Sequence, residues 1–313
     1  MNDYRHIFGP VPSRRLGLSL GIDLTPFKTC SFDCVFCQLG RTTVKTVERR
    51  EYVSAAEVTG EIDDWLKGKQ EADYITLSGS GEPTLNSGFG GICEFIRSST
   101  SIPLALLTNA SLMNLPEVRE AASRANTVKA SLSAWNSASL EQINRPHEDI
   151  RIENIVEGLR AFREEFKGQL WLEIFLIEGI NADPKHASKI AEKAKTIRPD
   201  RIQLNTAVRP PAEEFARAVA PENMAELTSL FEPEAEITAE FSSVVSDRTG
   251  ISEAGILAML ERRPCTMDHI GRVFGMHKNE VSKYIGRLLR QGRIIQKATN
   301  GDIYYTGADK GNY

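Results

Sequence analysis

The chain is poor in the residues that most often fix a protein's setting. Its 313 residues include only five cysteines and five histidines. An odd cysteine number, with three of the five clustered, argues against a disulfide framework and for a reducing compartment. No stretch approaches the uninterrupted apolar run that a membrane helix needs, and the start, Met-Asn-Asp-Tyr-Arg-His, has no apolar segment behind a basic one. A cytoplasmic protein without a membrane partner is expected. No two histidines have metal-site spacing, and none lies between residues 7 and 146. Internal repeats and low-complexity segments are also missing.

What is present is ordinary in bulk: 41% hydrophobic and 26% charged residues, enough chain for one large domain and a small one. The net charge of −4 hides an asymmetry. Residues 252–313 carry ten Lys/Arg against six Asp/Glu, which leaves 28 against 36 for the rest. A mildly basic tail on an acidic body hints at an anionic partner.

The most informative feature is a short loop holding Cys30, Cys34 and Cys37, spaced C-x3-C-x2-C. A complete four-iron cage normally takes four thiolates. A structural zinc site would also want a fourth ligand nearby, yet Cys93 and Cys265 are distant and no local histidine is available. The trio therefore points to a cluster with one iron left open to a ligand that is not protein.

Apolar strand-like runs alternate with amphipathic helical runs up to about residue 230. Candidate strands are Leu18–Leu24, Tyr74–Leu77, Leu104–Leu107, Thr127–Leu132, Leu170–Ile177 and Arg201–Leu204. Helical patterns such as Ala55–Leu66, Pro116–Ala125, Ile152–Phe166 and Pro184–Ile197 lie between them. Such alternation means crossover units and a parallel sheet. Six units predict an open partial (β/α)6 barrel of the TIM type, with ligands at the C-terminal strand ends.

Polar groups collect at those ends. The segment Gly79-Ser80-Gly81-Glu82-Pro83 follows the second strand, and its glycines allow close backbone approach to a ligand. Thr108 and Asn109 end the third strand, and Ser131 and Ser133 the fourth. Each can bind a ribose diol or a carboxylate, or merely start a turn. Glu173 sits inside an apolar strand, where a carboxylate is costly without a partner. Asn205 and Arg209 follow the sixth strand. Arg14 and Arg15, before the cluster loop, and Arg41, after it, can clamp an anionic substrate or lie solvated at the surface.

Beyond residue 250 the pattern changes to three helical pieces and a hairpin, whose turn is marked by Asn300-Gly301. A winged helix-turn-helix-like domain over 250–313 is expected, behind a barrel domain over 1–240. Lys278, Lys283, Arg287 and Arg290 fall near one face of its third helix, as a groove- or phosphate-contacting helix would have them. Winged helices also bind proteins and peptides, and charged faces are often only solvated.

The cysteine spacing, with Phe36 before the last cysteine, resembles the radical S-adenosylmethionine (radical SAM) superfamily. The likeness implies a 4Fe-4S cluster on Cys30, Cys34 and Cys37, with S-adenosylmethionine on the open iron. It also implies cofactor contacts from Phe36, Gly79, Ser80, Gly81 and Glu82, and a one-electron reductant of flavodoxin or ferredoxin type. Reductive cleavage of the sulfonium would give a 5′-deoxyadenosyl radical for hydrogen abstraction. Phe8–Gly21, Cys30–Thr43, Ser78–Leu85 and Ser131–Pro146 look like the group that includes the wybutosine-synthesising enzymes of tRNA. No cysteine precedes Cys30 to serve the second cluster of those enzymes, which counts against wybutosine chemistry itself. The expected function is a radical SAM oxidoreductase or modifying enzyme acting on RNA, a peptide or a small molecule. The alternative is a cluster- and SAM-dependent sensor or DNA-binding regulator acting through the tail.

Overall fold

The computed structural model describes residues 4–13, 16–68, 71–238, 253–299 and 301–308. Arg14, Arg15 and Asn300 lie outside these ranges. The chain opens with β1 (Ile7–Ser13), β2 (Gly17–Asp23) and the short β3 (Thr29–Cys30) and β4 (Val44–Lys45). It continues with α1 (Ala55–Lys67), β5 (Tyr74–Ser78), α2 (Phe89–Ser99), β6 (Leu104–Thr108), α3 (Pro116–Ala122), β7 (Thr127–Ser131) and α4 (Ser137–Asn144). Next come α5 (Ile152–Glu165), β8 (Gln169–Leu176), α6 (Pro184–Ile197), β9 (Arg201–Thr206), α7 (Pro221–Thr228) and β10 (Glu236–Ile237).

One sheet runs in the order β1-β2-β5-β6-β7-β8-β9-β10. All neighbours are parallel except β1, which pairs antiparallel with β2. The six expected strands are present and in chain order, and the sheet is consistent with an open partial barrel of the radical SAM kind. The β1 strand was not expected: Gly9, Pro10 and Pro12 weaken its ladder, which an edge position tolerates.

Alternation along each strand separates two faces. Leu20, Ile22, Ile75, Leu77, Leu106, Val128, Leu172 and Leu204 share one apolar core with helix residues such as Ile62, Phe89, Leu159 and Ile190. Each such side chain contributes about 1.5–3 kcal/mol on burial. The opposite parity is mixed: Ala105 and Trp171 make a small apolar cluster, while Ser19, Thr76, Lys129, Gln203 and Asn205 are buried and polar. This second face is available for chemistry.

The tail forms α8 (Glu253–Arg262), α9 (Met267–Phe274), α10 (Lys278–Arg290) and a hairpin of β11 (Ile294–Thr299) and β12 (Asp302–Gly307). It has a core of its own, with Ile256, Leu260, Ile270, Val281, Ile285, Leu288 and Tyr305. Thr266 caps α9 by accepting from the His269 N–H at 3.2 Å.

Candidate iron–sulfur and cofactor site

The cysteine loop has little regular structure, so other segments must fix it. The Val35 N–H donates to the Ile143 carbonyl at 3.0 Å, and the Asp33 N–H to the Asn144 carbonyl at 3.0 Å. From the other side, the Glu213 N–H donates to the Val35 carbonyl at 2.9 Å. The Glu213 carboxylate takes Arg145 at 2.6 Å and Arg41 at 2.8 Å, and Arg145 also lies 3.8 Å from Asp33. These two arginines hold the Glu213 carboxyl below its usual range, with the Arg145 hydrogen bond the largest cause. The loop is thus pinned between the end of α4 and the segment after β9.

The Cys30 and Cys34 thiols are both pushed up, and neighbouring sulfurs contribute: Cys37 to both, and Cys30 to Cys34. Burial is the main cause, pushing the Cys30 thiol up to about 12, with the Glu82 carboxylate adding to it. Burial also raises Cys34. Buried thiols of this kind ionise only against a bound cation, as metal ligands do. Among the described residues, no group of three or more His, Cys, Asp or Glu is arranged to hold a single metal ion. A cluster that takes one thiolate on each of three irons fits a set of three thiolate donors.

Each sulfur also receives a side-chain N–H. Lys28 Nζ donates to Cys37 Sγ at 3.1 Å, Asn144 Nδ2 to Cys34 Sγ at 3.2 Å and Asn109 Nδ2 to Cys30 Sγ at 3.5 Å. Asn109 was expected at the site. Lys28 carries no sequence signal, and Asn144 lies in a segment noted above only for its likeness to relatives.

The glycine-rich segment packs on the cluster loop. A Cβ at Gly81 would overlap the Thr29 carbonyl, and one at Gly79, whose φ is +131°, would overlap the Asp23 carboxylate. Both glycines therefore answer to protein neighbours, whatever they offer a ligand. Asp23 accepts from the Ser80 N–H at 3.0 Å and the Ser80 hydroxyl at 2.6 Å. Burial pushes the Asp23 carboxyl up, against Ser80 and the charge of Arg262. The Glu82 carboxylate is committed internally: Thr84 and Thr108 hydroxyls donate at 2.6 Å each, and the Asn109 N–H at 2.7 Å. Burial raises this carboxyl as well, with these donors opposing. Glu82 thus ties the ends of β5 and β6 together and leaves its neighbours to face a ligand.

Further round the sheet, Glu173 pairs with Lys129 at 3.0 Å and accepts from Asn205 Nδ2 at 3.3 Å. The partner that a carboxylate in an apolar strand requires is Lys129, which sequence reading missed. Its parity, opposite to Val128 and Ala130, was the available signal. Ser133 accepts from the Phe175 N–H at 2.9 Å, and Phe36 stacks on Phe175 with centroids 3.9 Å apart. Ser131 is half-buried at the end of β7. Arg209 donates to Gln38 Oε1 at 2.9 Å, so it meets the cysteine loop. In the tail, Lys278 pairs with Asp268 at 3.0 Å and Arg287 with Glu253 at 3.1 Å, while Lys283 and Arg290 are exposed on α10.

Comparison with known proteins shows the family and the fold. Residues 24–220 match the family model of the radical SAM superfamily. A UPF0026 protein of Methanocaldococcus jannaschii is 33% identical over 307 residues, covering 95% of this chain and 94% of that protein. A protein of Brachyspira hyodysenteriae named GTPase Obg is 36% identical over 305 residues, covering 96% of this chain. The chain spans only 45% of the length of that relative. A radical SAM methyltransferase structure from Sphaerobacter thermophilus shares the fold, with TM-score 0.54 and 16% identity over 71% of this chain and 65% of that one. No helix among the described residues is long and apolar enough to cross a membrane. The chain belongs to the radical SAM superfamily, as an enzyme of the UPF0026 family whose cofactors are a 4Fe-4S cluster and S-adenosylmethionine.

Proposed function

We propose that Cys30, Cys34 and Cys37 hold three irons of the cluster and that S-adenosylmethionine lies against residues 79–81 and the ends of β6–β9. The reading is carried by one observation: the thiols, the glycine-rich segment and the polar face of the sheet meet at the same strand ends. When bound, cluster and cofactor supply a radical able to take hydrogen from an unactivated carbon. The chain's own residues do the rest. The backbone of Gly79-Ser80-Gly81 offers hydrogen bonds to the methionine part. Thr108, Asn109, Ser131 and Ser133 border the site, and Glu173 with Asn205 offers acceptors for a ribose. Phe36, stacked on Phe175, shields the cluster side from water. Arg41 and Arg209 act as struts of the cysteine loop, a role their partners favour over direct substrate binding.

The finer architecture we propose is a (β/α)6 partial barrel over 1–240 and a winged-helix unit over 250–313, on the strength of three helices and a hairpin with a separate core. The tail touches the sheet domain at β1 and just past β9. Arg262 of α8 stacks over the Phe8 ring at 3.8 Å, and Phe8 in turn covers Gly21 of β2. On the far side the Tyr304 hydroxyl donates to the Val208 carbonyl at 2.9 Å, just past β9. This favours a tail that governs substrate access over an independent DNA-binding arm, as does the internal pairing of Lys278 and Arg287. The substrate class, whether RNA, a peptide or a small molecule, is the question to test next. The physiological reductant would be a flavodoxin or ferredoxin.

The decisive experiment is 5′-deoxyadenosine production by anaerobically reconstituted protein with S-adenosylmethionine and dithionite, beside Cys34→Ala. Product from the parent alone supports the assignment. Tight nucleic-acid binding that weakens steeply with salt, and is lost in Lys283→Ala/Arg290→Ala, would restore the regulator.

A further inference from the structure

We propose that Lys28, assisted by Asn144 and Asn109, sets the reduction potential of the cluster by hydrogen bonding to the cysteine sulfurs, with Lys28 the strongest of the three. The inference rests on the assignment of Cys30, Cys34 and Cys37 as cluster ligands. Its basis is that every one of the three sulfurs has its own donor, from three different parts of the chain: the loop after β2, the loop after β6 and the end of α4.

Lys28 is the unusual member. It is only 3% exposed, which a lysine reaches only when its amine has a partner. Its backbone is locked in the left-handed region at φ 58°, where a side chain is disfavoured. Its N–H donates to the Ser80 carbonyl at 2.8 Å, and its carbonyl accepts from the Thr43 and Val44 N–H groups at 3.1 and 3.2 Å. The same residue therefore joins the glycine-rich segment, the strap behind the cluster loop and the Cys37 sulfur. Asn144 is equally buried at 3% exposure, and its carbonyl holds the Asp33 N–H.

Adding one electron to a thiolate-bound cluster increases the negative charge on its sulfurs. A donor on the sulfur, and above all a cationic one, stabilises the reduced state more than the oxidised state. The three donors thus raise the potential, easing reduction by a one-electron donor. Lys28 acts through Cys37 and need not touch the substrate.

The test is an EPR-monitored redox titration of reconstituted parent, Lys28→Met and Lys28→Arg with dithionite and mediators, each with its iron content measured. Lys28→Met is expected to keep its iron but show a tenfold lower ratio of reduced to oxidised cluster at fixed potential. For one electron that is a midpoint lower by about 59 mV. Lys28→Arg, which keeps the cation, is expected to recover at least half of the shift. Lys28→Met with the parent's iron and the parent's midpoint overturns the proposal. If Lys28→Met takes up no iron, Asn144→Ser decides by the same titration: a lowered midpoint supports the proposal and an unchanged one overturns it. A parent without a reducible cluster would sink the cysteine assignment as well, whereas a reducible parent with unshifted variants sinks this inference alone.

Discussion

Between β3 and β4 the chain runs from Cys30 to Val44 with almost no regular structure, whereas from Glu253 to Arg290 it is nearly all helix. The first region is held by partners far away in sequence: Asn144 on Cys34, Arg145 and Glu213 on each other beside Asp33, Ile143 on Val35. The second is held by local helix signals and a small apolar core of its own. A loop that must present three sulfurs outward cannot satisfy its backbone by a helix or a ladder, so remote groups do so. The tail carries no such demand, and ordinary amphipathic packing suffices.

The contrast gives a ranked set of expectations. Cys34→Ala should abolish both cluster uptake and 5′-deoxyadenosine production, checked by iron analysis and product chromatography, while leaving tail protection in hydrogen exchange unchanged. Ile285→Ala, a truncation in the tail core at 2% exposure, should cost about 2–5 kcal/mol of tail stability. Hydrogen exchange across α8–α10 should report that loss, and iron content should stay at the parent's level. A fall in iron there would mean that the two regions are not independent. Arg145→Ala removes the tie that joins Asp33 of the loop to Glu213 and should weaken cluster retention about tenfold, measured as iron lost to a chelator, because groups behind the ligands typically matter at that scale. Arg287→Ala removes an exposed pair with Glu253 and should change thermal stability by less than about 1 kcal/mol.

Much of the architecture was readable beforehand. The strands β2 and β5–β9 announce themselves because buried parallel strands need apolar residues on the helix-covered side at every second position, as in Val128 and Ala130 of β7. The edge strand β1 did not, since Gly9, Pro10 and Pro12 are the residues that usually end a strand. At the site, the cysteines and the end-of-strand polar residues were legible from spacing and position. Glu82 reads from sequence as a ligand contact; that Thr108 and Asn109 of another strand end also take up its carboxylate is not written in the neighbouring residues. Lys28 and Lys129 were passed over for a related reason: a lone lysine looks solvated until its partner is known.

By itself, the sequence determined the three-thiol loop, the six strand–helix units and the helical tail. Each is written in short-range spacing: three cysteines in one short loop, period-two strands, period-3.6 helices. Only the tertiary structure decided which donor meets which sulfur, why Gly79 and Gly81 admit no side chain, and that the tail reaches from β1 to the end of β9. These depend on atoms brought together from segments a hundred residues apart or more, as Asn144 is brought to Cys34 and Arg262 to Phe8. Nothing in local periodicity encodes such a meeting, because it is settled by how the packed layers close on one another.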